Sequence, residues 1–269
     1  MAWPVASGVP MLIMGCGGGF SLIRFLRIGK GDRAAALVMP GISDGLLDAT
    51  KGDRPYIWAL FLLCAPFYLN DFSNMYVSDW RLWIFIDYTS VKLLPLLVAL
   101  GLIRTGRMRL SEFGWTAHTA TCFASAFFIG TLTVTFIVQN GDLFLSWLPD
   151  YLPLGKMPEI DSTLWRWIDL TIGLLMVGIC EELVFRGYLY TFISRYTRSS
   201  WIVISASAMA FGFIHWSAGL HMVIVAAAAG AVFMLLYIQT RSLPAIMLAH
   251  FAVDFVDVAC ILPRPVLIP

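Results

Sequence analysis

Two adjacent carboxylates and an arginine lie inside one long apolar segment of the chain. The stretch GICEELVFRGYLY, residues 178–190, contains Glu181, Glu182 and Arg186. Glu182 and Arg186 are four positions apart, so in a helix they share a face and can form an ion pair. Glu181 is rotated by about 100° from Glu182 and can meet a different partner. Taken alone, the three residues could form a buried ion-pair cluster that stabilises the fold, or they could form part of a catalytic site.

Two further apolar segments carry ionisable side chains at helical spacing. The stretch FGFIHW places Phe211 and His215 four residues apart. The stretch HFAVDFVD places His250, Asp254 and Asp257 at positions i, i+4 and i+7, on one face of a helix. Ionisable residues are rare in membrane spans and usually functional there. Their presence in three separate segments therefore favours one functional cluster over unrelated structural polar groups.

The helices that position these residues are expected to lie in a membrane. The chain has 269 residues, of which 59% are hydrophobic and 13% are charged, whereas a soluble domain has about 25% charged residues. The net charge of +1 offers no basic face for nucleic acid. The composition predicts a multi-pass integral membrane protein surrounded by the lipid bilayer, which we expect in a bacterial or archaeal cell membrane.

The hydropathy pattern predicts about eight membrane spans. A spanning helix needs about 20 apolar residues, and the candidates are residues 5–23, 55–70, 82–103, 116–139, 164–193, 201–217, 220–239 and 243–262. We therefore predict an all-α, polytopic membrane helix bundle that forms a single transmembrane domain over residues 1–269. Its catalytic core would occupy about residues 164–262. Residues 34–47 are expected to be re-entrant or interfacial, and the loop 140–163 is expected to anchor at the interface or to gate a substrate.

The distribution of basic residues predicts the orientation of the bundle. Twelve of the 18 lysines and arginines lie in the loops that follow the first, third, fifth and seventh predicted spans, and four lie on the opposite side. Basic residues concentrate in cytoplasmic loops. Both ends of the chain are therefore predicted to lie outside the cytoplasm.

The three patterns together resemble the CPBP intramembrane proteases, a family that includes the Ras-converting CAAX prenyl endopeptidases and bacteriocin-processing proteins. The family signature is EExxxR, then FxxxH, then HxxxN or a variant of it. Here these motifs are Glu181-Glu182-xxx-Arg186, Phe211-xxx-His215 and His250-xxx-Asp254. All three occur in order, and Asp254 stands where the family more often has asparagine.

The resemblance implies an endopeptidase that hydrolyses a peptide bond within the membrane with glutamate-activated water. Glu181 would accept a proton from water, helped by His215. Removal from water makes a carboxylate a stronger base, which suits this task near neutral pH. Glu182 and Arg186 would hold the helix geometry and tune Glu181.

The same resemblance leaves two mechanisms open. His250 and Asp254 would stabilise the oxyanion, for which Asp254 must be protonated or must orient His250. We expect no required cofactor. Alternatively, one of the two glutamates, Glu181 by preference, could form a zinc site with His215 and His250, since two histidines and one carboxylate are a known zinc ligand set.

Two functions of other classes compete with the peptidase. A non-catalytic immunity or regulatory partner of the same fold would be expected to lack one or more motif residues, but all three motifs are present. A proton-coupled transporter would use the same buried acids but would favour an inverted repeat, which the sequence does not contain. The predicted substrate is a peptide or a membrane protein, such as a prenylated tail or a bacteriocin leader.

Overall fold

The predicted all-α class is confirmed. The computed structural model describes residues 54–116, 119–149 and 153–262, and over these ranges the chain forms helices and no strand. The helices are α1 (Arg54–Tyr76), α2 (Trp80–Arg104), α3 (Ala120–Gln139), α4 (Gly141–Phe144), α5 (163–193), α6 (Ser200–Phe213), α7 (Leu220–Thr240) and α8 (Leu243–Val258). Two 3₁₀ turns, Leu110–Phe113 and Trp216–Ala218, precede α3 and α7.

The sequence marks several helix starts through side chains that satisfy free backbone N–H groups. Oδ1 of Asp79 accepts a hydrogen bond from the N–H of Arg81 at 2.8 Å at the start of α2. The hydroxyl of Thr119 accepts from the N–H of Cys122 at the start of α3. Pro244 lies in the first turn of α8, where its missing N–H costs nothing.

Two of the long helices contain π-helical segments. In α2 this segment is Tyr88–Leu93 and is followed by Pro95, whose ring would clash with the carbonyl of Val91 in a regular helix. In α5 the segments are Asp169–Gly173 and Leu183–Tyr188. Because a π turn places residues i and i+5 together, these segments change which side chains share a face.

Within the described ranges, three helices are long and apolar enough to cross a membrane: α2, α3 and α7. They coincide with the predicted spans 82–103, 116–139 and 220–239. α6 is apolar but shorter, and the predicted count of about eight spans is not confirmed. The predicted segments 5–23 and 34–47 lie outside the described residues, and the predicted orientation stays a prediction.

The predicted span 201–217 is wrong at its end, because α6 ends at Phe213. The N–H of His215 donates to the carbonyl of Gly212, a bond that tightens the last turn. Gly219 then adopts a φ of 97°, which glycine tolerates without steric cost. His215 therefore lies in the turn between α6 and α7 and not within a helix.

Close packing of α5 against α8 brings the first and third motifs together. α8 packs against α3 and against the Leu174–Glu182 segment of α5. A Cβ atom on Gly178 would lie 2.9 Å from the carbonyl oxygen of Met247 and 3.1 Å from the nitrogen of Phe251. Only glycine allows two helix backbones to approach this closely, and the crossing lies beside His250.

Candidate active site

The Glu182–Arg186 ion pair is fully buried. Nη1 of Arg186 lies 3.0 Å from Oε1 of Glu182, and neither side chain has any exposed surface. The guanidinium carbon lies 4.2 Å from the ring centroid of Phe211 and 5.5 Å from that of Phe233. These aromatic faces attract the cation as well. The pairing predicted from the i, i+4 spacing is therefore present, and it is held between α6 and α7.

His250 connects this ion pair to two further carboxylates. Its Nδ1 atom lies 2.7 Å from Oε1 of Glu182, and the imidazole must be the donor because an ionised carboxylate can only accept. Its Nε2 atom lies 3.4 Å from Oδ2 of Asp254 and 3.7 Å from Oε2 of Glu181. The contact with Glu182 thus fixes the ring so that Nε2 faces Glu181 and Asp254.

The two adjacent glutamates lie in different surroundings. The Glu182 side chain has no exposed surface and contacts both Arg186 and His250. The Glu181 side chain is 10% exposed, and its nearest oppositely charged partner is Nε2 of His250 at 3.7 Å. Oε2 of Glu181 accepts no hydrogen bond from any residue that the structure describes. Oε2 of Glu182 likewise accepts none. The two glutamates therefore differ in contacts and exposure: Glu182 is held in place by two close partners, whereas Glu181 has weaker contacts and retains a small exposed surface.

His215 reaches the cluster from the turn after α6. Its ring centroid lies 5.4 Å from that of Phe211, with the two planes at 80°. The centroid of Phe211 lies in turn 5.8 Å from that of His250. The phenyl ring of the FxxxH motif thus contacts both imidazoles and the Arg186 guanidinium. The structure therefore brings residues of all three motifs to one place.

The local backbone explains how these side chains converge. The α-helical part of α5 ends at Glu182, and Arg186 lies in the π segment Leu183–Tyr188, a type of segment that is frequent at functional sites. On α7, a Cβ atom on Gly230 would lie 3.0 Å from Cδ1 of Phe211 and 3.3 Å from Nη2 of Arg186. A larger residue there would displace the guanidinium and the phenyl ring.

Asp257 lies on the same helix as His250 but has another partner. Its Oδ1 accepts a hydrogen bond of 2.9 Å from Nε2 of Gln139 on α3. Asp254, one turn earlier, faces Nε2 of His250. The face predicted from the i, i+4, i+7 spacing is therefore divided between the cluster and the packing of α8 on α3.

The residues of the zinc alternative do not form an arrangement suited to a metal. Within the described ranges, no group of three or more histidine, cysteine, aspartate or glutamate side chains is placed to hold a metal ion. Both ring nitrogens of His250 face carboxylates, Nδ1 at 2.7 Å from Glu182 and Nε2 beside Glu181 and Asp254. The proposed ligands Glu181, His215 and His250 therefore fit a zinc ion poorly.

A second buried charge cluster was missed by the sequence analysis. Lys92 pairs with Asp87, and its Nζ atom lies 4.0 Å from Oδ1 of Asp169. Asp87 and Lys92 are five positions apart, a spacing that the π segment of α2 brings to one face. Cys180 donates from Sγ to the carbonyl of Lys92 at 3.1 Å. The cluster therefore joins α2 to the residue that precedes Glu181.

The fold and the cluster define an all-helical protein with membrane-length apolar helices and a buried carboxylate–histidine site. The model of the family described as Rce1-like, type II CAAX prenyl endopeptidase Rce1-like, matches residues 163–256. This match confirms the resemblance to the CPBP proteases, and all six candidate residues lie within it. The match supports peptidase activity at the level of the family. Neither curated proteins nor solved structures give a match.

Proposed function

We propose that the protein is an intramembrane endopeptidase in which Glu181 activates the water that attacks the peptide bond. The observation that carries the proposal is the difference between the two adjacent glutamates. Glu182 has no exposed surface and is held by Arg186 at 3.0 Å and His250 at 2.7 Å, whereas the Glu181 side chain is 10% exposed and lies 3.7 Å from His250. A general base must lie within hydrogen-bond reach of the water that it deprotonates, and the partly exposed Glu181 meets this need better than the enclosed Glu182.

The geometry suggests how each side chain would act. Water would lose a proton to Glu181 as its oxygen bonds to the carbonyl carbon of the substrate. The oxyanion that forms needs hydrogen-bond donors. Nε2 of His250 faces the same space as Glu181 and would donate to the oxyanion with the imidazole protonated on both nitrogens, since Nδ1–H already donates to Glu182. Asp254, at 3.4 Å from Nε2, would orient His250. The proton on Glu181 would then pass to the leaving amine nitrogen as the C–N bond breaks.

We assign His215 a supporting role beside Glu181, and we propose that no metal is required. His215 contacts Phe211, which also contacts His250 and Arg186. The imidazole would hydrogen-bond the attacking water or the proton-bearing Glu181. The poor fit of the candidate ligands to a metal supports a reaction that depends on the side chains alone.

We also propose that the site lies in a multi-pass bundle of about eight spans in a bacterial or archaeal cell membrane. The domain would comprise residues 1–269, with the catalytic core in about 164–262. The three membrane-length helices and the apolar helix α6 support this arrangement. The substrate would be a peptide or the segment of a membrane protein that enters the bilayer.

The test compares purified wild-type protein with the Glu181→Gln and His215→Ala variants. Membrane peptides from cells that express the wild type or Glu181→Gln would first be compared by mass spectrometry to identify a substrate. Cleavage of that substrate in detergent micelles should fall by about 10²–10⁴-fold in each variant. If both folded variants cleave at the wild-type rate, the assignment fails. If the wild type cleaves no substrate, the hypothesis of a non-catalytic membrane partner is favoured.

A further inference from the structure

The turn that carries His215 is held by α1, which lies outside the segment matched by the family model. Before His215, the hydroxyl of Tyr68 donates to the carbonyl of Ala210 at 2.9 Å. After it, Nε1 of Trp216 donates to the carbonyl of Tyr68 at 3.0 Å. The side chain and the backbone carbonyl of Tyr68 on α1 therefore contact the chain on either side of the histidine.

The strongest of these contacts comes from a buried carboxylate. Oδ2 of Asp71 accepts a hydrogen bond of 2.8 Å from the backbone N–H of Ser217, two residues after His215. Its other oxygen, Oδ1, accepts from Nδ2 of Asn74 at 3.2 Å. Asp71 is 9% exposed, and hydrogen bonds to an ionised acceptor are roughly twice as strong as neutral ones. The carboxylate thus fixes the position of one peptide group in the turn.

The loop before α5 also contacts the turn that carries His215 and the end of α1. The N–H groups of Leu154 and Gly155 donate to the carbonyl of Ser217 at 2.7 and 3.2 Å, and the N–H of Lys156 donates to the carbonyl of Asn74. A Cβ atom on Gly155 would lie 2.9 Å from backbone atoms of Asn74. The turn, the end of α1 and residues 154–156 therefore form one hydrogen-bonded unit.

We propose that Asp71 is a positioning residue that sets the location of His215 for catalysis. The proposal rests on the proposed function, because it acts through His215. His215 lies outside regular helix, with φ −100° and ψ 25°, so helix geometry alone does not fix its side chain. The hydrogen bond from Ser217 to Asp71 supplies that constraint. This gives α1 a role in the reaction although it contributes none of the three motifs.

Two conservative substitutions separate the position of the acceptor oxygen from its charge. Asp71→Asn keeps an oxygen opposite the Ser217 N–H, but it loses the charge and places an N–H donor opposite Nδ2 of Asn74. Asp71→Glu keeps the charge but moves both oxygens by one methylene group. Because a displacement of about 1 Å near a reacting group can cost 10²-fold in rate, Asp71→Glu should lower kcat by about 10–100-fold with KM unchanged. Asp71→Asn should retain at least about tenfold more kcat than Asp71→Glu.

The matched control is Asp79→Ala. Asp79 also accepts hydrogen bonds from backbone N–H groups, those of Arg81 and Leu82, but these begin α2 and not the His215 turn. The Asp79→Ala variant should unfold at a lower temperature, as expected when a helix-capping side chain is removed, and should keep the wild-type kcat. Thermal unfolding of every variant in the same detergent separates stability from rate.

The outcomes distinguish this inference from the proposed function. If Glu181→Gln is inactive and Asp71→Glu keeps the wild-type kcat, Asp71 does not position His215 although the peptidase assignment stands. If Asp71→Asn is impaired as much as Asp71→Glu, the position of the acceptor oxygen does not by itself determine the rate, and the inference is wrong. If Glu181→Gln is fully active, the proposed function itself is wrong.

Discussion

Replacing Glu182 by glutamine should destabilise the protein far more than the same change at the neighbouring Glu181. Glu182 and Arg186 have no exposed surface and lie 3.0 Å apart. Glu182 also accepts the 2.7 Å hydrogen bond from Nδ1 of His250. Among the described residues, the oppositely charged group nearest to Glu181 is the His250 imidazole, at 3.7 Å. The two substitutions change one oxygen to a nitrogen on adjacent residues, so each is the control for the other.

The expected difference follows from the burial of the charge left behind. Removing one member of a buried ion pair leaves the other uncompensated, which costs about 3–5 kcal/mol of unfolding free energy. The aromatic contacts of Arg186 with Phe211 and Phe233 are the same in both variants. Glu181→Gln replaces a buried carboxylate that lacks a close partner by a neutral amide, which removes a desolvation cost. Its unfolding free energy should therefore be unchanged or slightly higher.

The measurement is the free energy of unfolding by SDS titration in mixed micelles, followed by the fluorescence of the tryptophans, of which the chain has 10. A third variant, Glu182→Gln with Arg186→Met, removes both charges and should recover about 0.5–3 kcal/mol relative to the sum of the single changes. If Glu182→Gln is as stable as Glu181→Gln, or if the double variant is simply additive, the ion pair does not support the site as described here.

Two further predictions concern helix packing and metal dependence. Gly178→Ala places a Cβ atom 2.9 Å from the carbonyl oxygen of Met247, so α5 and α8 must separate. We expect a loss of about 1–3 kcal/mol in unfolding free energy together with a fall in cleavage. Gly101→Ala, with no atom within 4 Å of the added Cβ, should change neither, and equal effects of the two substitutions would contradict the close-packing argument. Treatment with a zinc chelator should leave kcat/KM unchanged, with less than one zinc ion per purified chain; activity lost on chelation and restored by zinc would favour the zinc alternative.

The sequence by itself determined the fold class, the candidate residues and one of their contacts. Low charge and long apolar segments require helices, because a chain in lipid must satisfy its backbone hydrogen bonds within each segment. The Glu182–Arg186 pair followed from its i, i+4 spacing, since that separation is a local property of any helix. The family signature depends on the same local spacings, and the match over residues 163–256 agrees with it.

Only the tertiary structure decided which charges meet across helices and which glutamate is held by two close partners. Glu181 and Glu182 have identical chemistry and adjacent positions, and they differ because α8 places Nδ1 of His250 against Glu182. Lys92 meets Asp169 across α2 and α5, a contact that spacing along the chain does not encode. His215 lies outside the helix predicted for it, because a tight turn ends α6 and Gly219 follows with a positive φ. Long-range packing fixes these contacts, whereas periodicity reports only on neighbours within one helix.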